Sequence, residues 1–405
     1  MLQISELLRS AIATNSVNNI DVAQQLRDQA KSRFLENQPP VVVWNVNHSC
    51  NMTCPHCYAS AKLKPEFDGV STEEALSIID KLHHDGINII IFSGGEPLMR
   101  SDLIELIRYA TAKRLSCHLS TNGTLITPPM AASLKSAGIR YVGVSLDGLE
   151  EFNDKHRGLK GGFKLAWEGI LNAKNAGLAT GLRMTLTAAN EHYLFSLLDL
   201  AVEQEIPRFY VSHLVYSGRA KSYARYDLDN DRSRQITSLL FKRAVDLLDQ
   251  GKKISIVTGG NDVDGVLLYK FVWEQFGKER AELIYGLLTQ RGGNSAGEKI
   301  INIDHKGNVH PDQFWQTTDC GNILDKSLSE ILKSPLIERL REREKYLTGK
   351  CKGCIFIKLC RGSHRERALA ATGDMWAPDP ACYLSEDEIS LPNSTSLIDF
   401  SGASL

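Results

Sequence analysis

The stretch Trp44-Asn-Val-Asn-His-Ser-Cys-Asn-Met-Thr-Cys-Pro-His-Cys-Tyr58 begins at the end of a short apolar run, residues 41–44, and decides the fold. Its three cysteines, Cys50, Cys54 and Cys57, have the spacing CxxxCxxC. Three thiolates this close can bind three irons of a 4Fe-4S cluster and leave the fourth iron without a protein ligand. An open iron is a place for chemistry. A zinc knot is the alternative, but it needs a fourth ligand, and no further thiol lies nearby in the sequence.

The CxxxCxxC spacing resembles that of the radical S-adenosylmethionine (radical SAM) superfamily. In that family the open iron chelates the amino and carboxylate groups of S-adenosylmethionine, and the reduced cluster cleaves it to a 5'-deoxyadenosyl radical. The resemblance implies that Cys50, Cys54 and Cys57 are the catalytic cysteines. It also implies that His56, in the slot before the third cysteine, lies near the adenine.

Length and composition limit the possible classes of protein. The 405 residues suffice for one barrel-sized domain and a smaller one, and the hydrophobic content of 42% is that of a globular protein. The 47 basic and 48 acidic residues nearly balance, which argues against a nucleic-acid-binding surface. Neither a run of about eighteen apolar residues nor a signal peptide is found, so we expect a cytoplasmic protein with no membrane partner. The nine cysteines cluster as metal sites do in a reducing compartment.

Alternating strand and helix signals follow the cysteine stretch. A capping box at Ser71 and Glu74 starts the first crossover helix, and further helices are predicted over residues 103–109, 130–136, 163–175 and 194–204. The predicted strands cover residues 41–46, 87–92, 116–120, 141–146, 181–187 and 209–215. This order predicts the α/β class, with a parallel sheet curled into a partial (β/α)6 TIM-type barrel. Functional groups are expected at the C-terminal ends of its strands.

Polar residues stand where these strands end. Ser93-Gly-Gly-Glu-Pro97 follows the second strand, Ser120-Thr-Asn122 the third and Ser145-Leu-Asp147 the fourth, while Arg183 lies within the fifth. Each has an ordinary alternative, a turn for the first three and a buried ion pair for the arginine. Together they resemble the radical SAM pattern. The cofactor-binding residues that this resemblance implies are His56, Gly94, Gly95, Glu96, Ser120, Asn122, Ser145, Asp147 and Arg183.

A second group of cysteines lies in the last third of the chain. Cys351, Cys354 and Cys360 form CxxCxxxxxC, and Cys382 follows them. Four thiols are the full set of protein ligands for a 4Fe-4S cluster; a tetrahedral zinc site is the alternative, and the first motif favours iron. The region resembles the SPASM or twitch extension of radical SAM enzymes. The resemblance implies one auxiliary cluster held by these four cysteines.

The extension departs from the usual SPASM pattern. Asp312 stands where a SPASM domain usually has a cysteine, and His364 replaces another. Cys320 has no obvious partner set, and Cys117 lies inside a predicted strand, as a small core residue would. A second auxiliary cluster is therefore not expected.

These segments predict the domain organisation. We expect an N-terminal helical extension (1–37), the radical SAM partial barrel (38–226), a helical connector (227–295), the auxiliary cluster domain (296–388) and a mobile tail (389–405).

Four further stretches resemble radical SAM enzymes of modified-tetrapyrrole biosynthesis, of the NirJ type that acts in haem d1 biosynthesis. They are residues 209–219, 291–297, 308–315 and 372–384. The resemblance implies an iron tetrapyrrole substrate, didecarboxysirohaem, that loses propionate side chains, with two 4Fe-4S clusters, S-adenosylmethionine and a low-potential electron donor such as flavodoxin or ferredoxin. AhbC-like removal of acetate carboxyl groups, giving iron-coproporphyrin, stays open. A SPASM peptide maturase and a non-catalytic iron–sulfur protein are further alternatives.

A tetrapyrrole substrate needs a large apolar cavity, partners for its carboxylates and an axial ligand for its iron. The candidate substrate residues are His213, Arg219, His310, Arg291 and Trp315. Each has an ordinary alternative as a packing or surface residue.

Overall fold

The computed structural model describes residues 1–12, 39–63 and 67–390. The rest of the predicted N-terminal extension and nearly all of the predicted tail lie outside these residues. The strands are β1 (Leu2–Gln3), β2 (Val41–Asn45), β3 (Ser49–Cys50), β4 (Lys62–Leu63), β5 (Ile89–Ser93), β6 (Ser116–Thr121), β7 (Ile139–Ser145), β8 (Ala179–Leu186), β9 (Arg208–His213), β10 (Ser255–Gly259), β11 (Ile300–Ile303) and β12 (Val309–His310).

The α-helices surround the strands and follow most of them directly in the chain. They are α1 (Ile4–Ile12), α2 (Thr72–His84), α3 (Leu103–Ala112), α4 (Pro128–Ala137), α5 (Glu150–Arg157), α6 (Gly162–Asn175), α7 (Leu194–Glu203), α8 (Ala220–Tyr223), α9 (Asn230–Asp249), α10 (Asp264–Phe276), α11 (Lys278–Arg291), α12 (Leu328–Ile331), α13 (Pro335–Arg341), α14 (Ile357–Cys360), α15 (Arg365–Thr372) and α16 (Glu386–Ile389). None of the described helices is both long and apolar enough to cross a bilayer.

One large sheet carries the fold, with the strand order β1-β10-β9-β8-β7-β6-β5-β2-β11-β12. All neighbours from β10 to β11 pair in parallel, and the two edge strands, β1 and β12, are antiparallel. The six predicted strands all form, as β2 and β5 to β9, within two residues of their predicted bounds. The prediction of an α/β fold with a parallel sheet is confirmed.

Local signals account for the crossover helices. The capping box of α2 is present, because the Ser71 hydroxyl accepts a hydrogen bond from the backbone N–H of Glu74, and the Glu74 carboxylate accepts one from the backbone N–H of Ser71. One face of α2 is buried against the sheet through Ala75, Ile78, Ile79 and Leu82. Burial of four such side chains stabilises the helix by several kcal/mol, at about 25 cal/mol per Å² of apolar area.

The segment predicted as a helical connector, 227–295, contains a strand. Strand β10 pairs in parallel with β9, and the N-terminal β1 pairs with its other edge. The run Ile254-Ser-Ile-Val-Thr258 is short and lies between Lys252-Lys253 and Gly259-Gly260, so periodicity alone could not distinguish it from a turn. Strand β11, in the predicted auxiliary domain, likewise pairs with β2. The connector, through β10, and the predicted auxiliary domain, through β11, therefore continue the sheet on either side of the six predicted strands.

Alternation along the strands separates the core from the site. In β2 and β5, Val42, Trp44, Ile90 and Phe92 are fully buried in the hydrophobic core. Their neighbours point to the opposite face, because successive strand side chains alternate. That opposite face lines a cleft.

Candidate active site

A cleft of about 1440 Å³, measured to its open mouth, lies at the C-terminal ends of the parallel strands. Its position follows the rule for parallel α/β sheets, in which functional groups gather at these ends. The predicted site residues that line it are Cys50, Cys54, His56, Cys57, Gly94, Gly95, Ser120, Asn122, Ser145, Arg183, His213 and Arg219. Glu96, Asp147, Arg291, His310 and Trp315 do not line it.

Arg219 holds the cysteine loop in place. Its guanidinium donates to the carbonyls of Cys54 and Ala61, at 2.9 and 2.6 Å, and its backbone N–H donates to the carbonyl of Cys57 at 3.0 Å. Gly218 (φ +56°) lies so close to the loop that a Cβ would stand 2.2 Å from the carbonyl oxygen of Tyr58. These bonds show that Arg219 positions the loop, whereas the sequence suggested a substrate-binding role.

Two glycines bring a second loop against the first. A Cβ on Gly95 would lie 2.1 Å from the carbonyl oxygen of Ser49, and Gly94 has φ +138° and meets the carbonyl of Asn47. The backbone N–H of Gly95 donates to that Asn47 carbonyl at 3.1 Å. Only glycine permits this contact, so the pair exposes backbone to the cleft beside the cysteines.

The cysteine loop fits an iron–sulfur cluster. Burial raises the pKa of Cys50 to about 11 and that of Cys54 to about 12, so thiolates there need a positive counter-charge, which iron supplies. Within the described residues, no three cysteine sulfurs lie within 4.8 Å of one another. A zinc ion with Zn–S bonds of about 2.3 Å would hold its sulfurs about 3.8 Å apart. The wider spacing suits a cluster of several irons.

Glu96 is buried beneath the cleft instead of facing it. Its side chain is 0% exposed and accepts hydrogen bonds from the backbone N–H groups of Leu98 and Asn122 and from the Thr121 hydroxyl, at 3.1, 2.8 and 2.7 Å. Burial raises the pKa of Glu96, and these three bonds oppose that rise. The sequence pattern implied that its carboxylate binds the cofactor; in the structure this carboxylate joins the turn after β5 to the end of β6. Asn122 reaches the cleft, with its amide nitrogen 3.9 Å from the sulfur of Cys50.

Asp147 is likewise internal. Its carboxylate pairs with Arg157 at 2.6 Å and with His56 at 3.2 Å, and it accepts from the backbone N–H of Thr185 at 2.9 Å. Burial alone would raise the pKa of Asp147, but Arg157 and the histidines lower it to about 2. His56 also contacts His156 through Nδ1 at 2.8 Å, and burial lowers the pKa of His56 to about 4. Asp147 therefore orients His56 and does not itself reach the cleft.

Arg183 is one of three arginines on the cleft wall, with Arg157 and Arg219. Its guanidinium donates to the Ser120 hydroxyl and lies 5.2 Å from the centre of the Tyr210 ring. No carboxylate pairs with it in the described parts of the chain. The alternative of a buried ion pair is therefore not what the structure has. An arginine exposed to a cleft without an acidic partner is suited to a ligand carboxylate.

Two of the predicted substrate residues, His213 and Arg219, line the cleft, whereas His310, Arg291 and Trp315 do not. His213 lines the cleft, with Nε2 bonded to Asp264 at 3.0 Å. His310 uses both ring nitrogens within the protein, Nδ1 on the Thr318 carbonyl at 2.8 Å and Nε2 near Asp304 at 3.5 Å, so an axial role is not supported. Arg291 pairs with Asp262 at 2.8 Å. Trp315 is fully buried in the extension.

The extension contributes an aromatic part of the wall that the sequence did not suggest. Gln313 and Phe314 line the cleft, and the Phe314 ring lies 5.5 Å from that of Tyr58, edge to face. The Ser217 hydroxyl donates to the Phe314 carbonyl, which ties this segment to the strand-end loop after β9. Residue 314 lies in the stretch 308–315, but its place on the cleft wall depends on contacts with Tyr58 and Ser217, which are far away along the chain. Tyr210 was detectable in principle, since it shares the inward face of β9 with Ser212.

The four cysteines of the extension form a separate group. Cys351 and Cys360 are buried, whereas Cys354 and Cys382 are half-buried. Burial raises the pKa of all four thiols, and neighbouring cysteines add to the rise at Cys351, Cys354 and Cys360. Lys350 donates to the carbonyl of Cys382 at 2.9 Å. The donor set fits an auxiliary cluster, because four thiols are the full set of protein ligands for a 4Fe-4S cluster.

The two positions that depart from the SPASM pattern lie together. His364 Nε2 is 3.8 Å from the Asp312 carboxylate, and both residues are buried. Burial raises the pKa of Asp312 and lowers that of His364. Cys320 is not among the cleft residues, and Cys117 is a fully buried core residue, as predicted.

Comparison with known proteins assigns the family. Residues 44–201 match the Radical SAM superfamily, and residues 295–355 match SPASM, an iron–sulfur cluster-binding domain. Relatives at 32–40% identity cover 86–94% of the chain. The chain belongs to the radical SAM superfamily and carries a SPASM extension. Its radical SAM domain binds S-adenosylmethionine and a 4Fe-4S cluster, and the extension implies an additional auxiliary iron–sulfur cluster.

Within that superfamily, the chain is similar to proteins with names from tetrapyrrole metabolism. It is 40% identical to the Fe-coproporphyrin III synthase of Methanosarcina barkeri, over 94% of this chain and 98% of the relative. It is 37% identical to the pre-heme d1 synthase of Dinoroseobacter shibae, over 90% and 91%. The AdoMet-dependent heme synthase of Nitratidesulfovibrio vulgaris is 32% identical, over 86% and 94%.

Solved structures share the fold. Native anSMEcpe with bound AdoMet and Cp18Cys peptide aligns with a TM-score of 0.66 at 20% identity, over 85% of this chain and 94% of that one. Streptococcus suis SuiB bound to precursor peptide SuiA aligns with a TM-score of 0.67 at 18% identity, over 91% and 82%. At these identities the likeness concerns the fold alone.

Proposed function

We propose that this chain is a radical SAM enzyme of tetrapyrrole biosynthesis that removes propionate side chains from didecarboxysirohaem on the way to haem d1. The observation that carries the proposal is the content of one cleft: an open cysteine trio, an arginine with no acidic partner among the described residues and a histidine with one ring nitrogen that no described residue contacts. These groups match a cluster, a carboxylate-bearing ligand and a substrate iron. The 37% identity to a pre-heme d1 synthase over nearly the whole chain supports this choice of substrate.

A second candidate acts on the same substrate. The 40% identity to an Fe-coproporphyrin III synthase favours AhbC-like removal of acetate carboxyl groups. A few per cent of identity does not separate two relatives, so the product decides between them. A peptide maturase has weaker support, because the mycofactocin maturase MftC of Mycolicibacterium smegmatis is 29% identical and the solved peptide complexes support the fold alone.

The residues proposed to act are those that meet in the cleft. Cys50, Cys54 and Cys57 hold the first cluster, and Arg183 binds a carboxylate of S-adenosylmethionine or of the substrate. When bound, the clusters and S-adenosylmethionine supply electron transfer and a carbon radical able to break an unactivated C–H bond, which acid–base groups near neutral pH cannot do. Phe314 and its neighbours exclude water from that cleft wall, which protects a reactive centre from side reactions.

Product mass tests the proposal. The cluster-reconstituted protein is incubated anaerobically with didecarboxysirohaem, S-adenosylmethionine and a strong reductant. Loss of propionate-sized fragments together with formation of 5'-deoxyadenosine is the expected result. Loss of acetate carboxyl groups alone would instead support the second candidate function. An unchanged tetrapyrrole, with S-adenosylmethionine still cleaved, would refute both.

Substitutions distinguish the roles of the two cysteine groups. Cys57→Ala should abolish cleavage of S-adenosylmethionine, because the first cluster loses a ligand. Cys351→Ala with Cys354→Ala should keep that cleavage and lose multiple turnover. Cys117→Ser is the matched control, since its sulfur lies in the core and outside both groups. Full multiple turnover in the double variant would show that the auxiliary site is not needed.

A further inference from the structure

A chain of three buried side chains joins the cleft to the auxiliary cysteines. His213 lines the cleft, and its Nε2 contacts one carboxylate oxygen of Asp264 at 3.0 Å. The other oxygen of Asp264 accepts a hydrogen bond from the Tyr383 hydroxyl at 2.9 Å. Tyr383 follows Cys382 directly in the sequence. Asp264 is 0% exposed, and His213 and Tyr383 are each 6% exposed.

His213 has the available imidazole nitrogen of the cleft. The histidines that line it are His56 and His213. Both nitrogens of His56 are occupied, by His156 and by Asp147. Within the described part of the chain, Nδ1 of His213 has no hydrogen-bond partner. An imidazole nitrogen facing a cleft is a ligand that iron accepts readily.

The Asp264 carboxylate determines which ring nitrogen of His213 can bind a metal. An Asp oxygen accepts only from a protonated nitrogen, so Asp264 keeps the proton on Nε2 and leaves Nδ1 for a metal. Asp264 is itself held, because it is the first residue of α10, where a helix N-terminus favours a negative charge. The Tyr383 hydroxyl restrains its second oxygen. The arrangement is the carboxylate–histidine pair that accompanies many metal-ligating histidines, with a tyrosine added behind it.

We propose that His213 is the axial ligand of the substrate iron, through Nδ1, and that Asp264 and Tyr383 are positioning residues that orient it and set its basicity. The proposal rests on the proposed function, since it needs an iron tetrapyrrole in the cleft. Coordination releases any proton on Nδ1, while the Nε2 proton stays in the bond to Asp264. Because Tyr383 is joined to Cys382, the same side chains tie the position of the substrate iron to the auxiliary site.

Binding spectra test the ligand without turnover. Didecarboxysirohaem and its iron-free form are each titrated into the reconstituted protein, without reductant. His213→Ala should weaken binding of the iron form by about 10- to 100-fold, change its absorption and low-temperature EPR spectra, and leave binding of the iron-free form unchanged. Added imidazole should restore the wild-type spectrum. His84→Ala, at a side chain that is 88% exposed, is the matched control.

The outcomes separate the two proposals. If the wild type binds neither form, the tetrapyrrole function itself fails. If the wild type binds both forms and His213→Ala gives an identical spectrum and affinity, the function stands and the ligand assignment is overturned. Equal weakening for the iron and iron-free forms also overturns it, because it would show a packing role.

The positioning residues are tested by the midpoint potential of the bound iron. Asp264→Asn keeps the shape but removes the negative charge, so the ligand becomes less basic and the potential should rise. Tyr383→Phe removes one hydrogen bond from the carboxylate, which makes the ligand more basic, and the potential should fall. Unchanged iron content checks that both variants keep their clusters. Shifts of the same sign in both variants, or no shift in either, would overturn the positioning role.

Discussion

Glu96→Gln is expected to destabilise the fold before it affects any ligand. One oxygen of Glu96 accepts from the Leu98 N–H at 3.1 Å and the Thr121 hydroxyl at 2.7 Å, and the other accepts from the Asn122 N–H at 2.8 Å. A glutamine offers one oxygen, so its amide group must face one of these backbone N–H donors. An unsatisfied buried donor costs about 1–3 kcal/mol. Burial raises the pKa of Glu96, so removing its charge gives back part of this loss and favours the lower end of the range.

The free energy of unfolding in denaturant at pH 7 measures this cost, and equilibrium binding measures the affinity for S-adenosylmethionine. The control is Glu168→Gln, which changes an exposed glutamate and should leave both quantities unchanged. The free energy of binding S-adenosylmethionine should change less than the free energy of unfolding, because only movement of Asn122 connects Glu96 to the ligand. An unchanged free energy of unfolding together with a large loss of affinity would refute this reasoning. That result would restore the direct cofactor contact that the sequence pattern implied.

Three further substitutions test other parts of the site. Arg183→Met should lower the affinity for S-adenosylmethionine or for the substrate by about 10- to 100-fold, the weight of a charge-assisted bond, and should leave the unfolding midpoint unchanged, since no described carboxylate loses a partner. Arg219→Met should lower the iron content at the first cluster, because the cysteine loop loses two hydrogen bonds from the guanidinium. The iron content of this variant is compared with that of Cys351→Ala, which removes a ligand of the auxiliary cluster instead. Glu366→Gln should stabilise the protein by up to about 3 kcal/mol at pH 8 and not at pH 5, because burial raises the pKa of Glu366 from 4.5 to about 7. The folded state disfavours the charged form of Glu366, so the wild type loses stability as the pH rises from 4.5 to about 7. A shift of the unfolding midpoint by Glu366→Gln that is equal at pH 5 and pH 8 would contradict this prediction.

The parts of the fold that sequence predicts well are those with a repeated local signal. Six strands and their crossover helices follow from apolar runs and a capping box, and each strand appears within two residues of its predicted bounds. Strands β10 and β11 were missed, because they are short and are defined by pairing with β9 and β2, which lie far away in the chain. Pairing over such distances leaves no periodic trace in a run of four or five residues.

The limits at the site have a different physical origin. Position at a strand end indicates which residues are near the cleft, but it does not indicate which way each side chain points. Glu96 and Asp147 turn inward because Thr121, at the end of the neighbouring strand, and Arg157, in helix α5, provide their partners. Arg219 was recognised as important from its position after β9, yet its partners are carbonyls of the cysteine loop. A buried polar group goes where its hydrogen bonds can be satisfied, and those partners are a property of the tertiary structure.

The connector and the SPASM extension together complete the cleft of the radical SAM domain. Strand β11 covers the edge of β2, the strand that leads into the cysteine loop, and β10 covers the edge of β9, which ends at His213. Without these neighbours both strands would present unpaired backbone groups, and parallel strands buried on both faces are not stable as exposed edges. The extension also supplies Phe314 to the cleft wall and, through Tyr383 and Asp264, the restraint on His213. The geometry of the first cluster's cleft therefore depends on the segment that carries the second set of cysteines, so loss of the auxiliary cysteines should be judged by spectra of the bound substrate as well as by turnover.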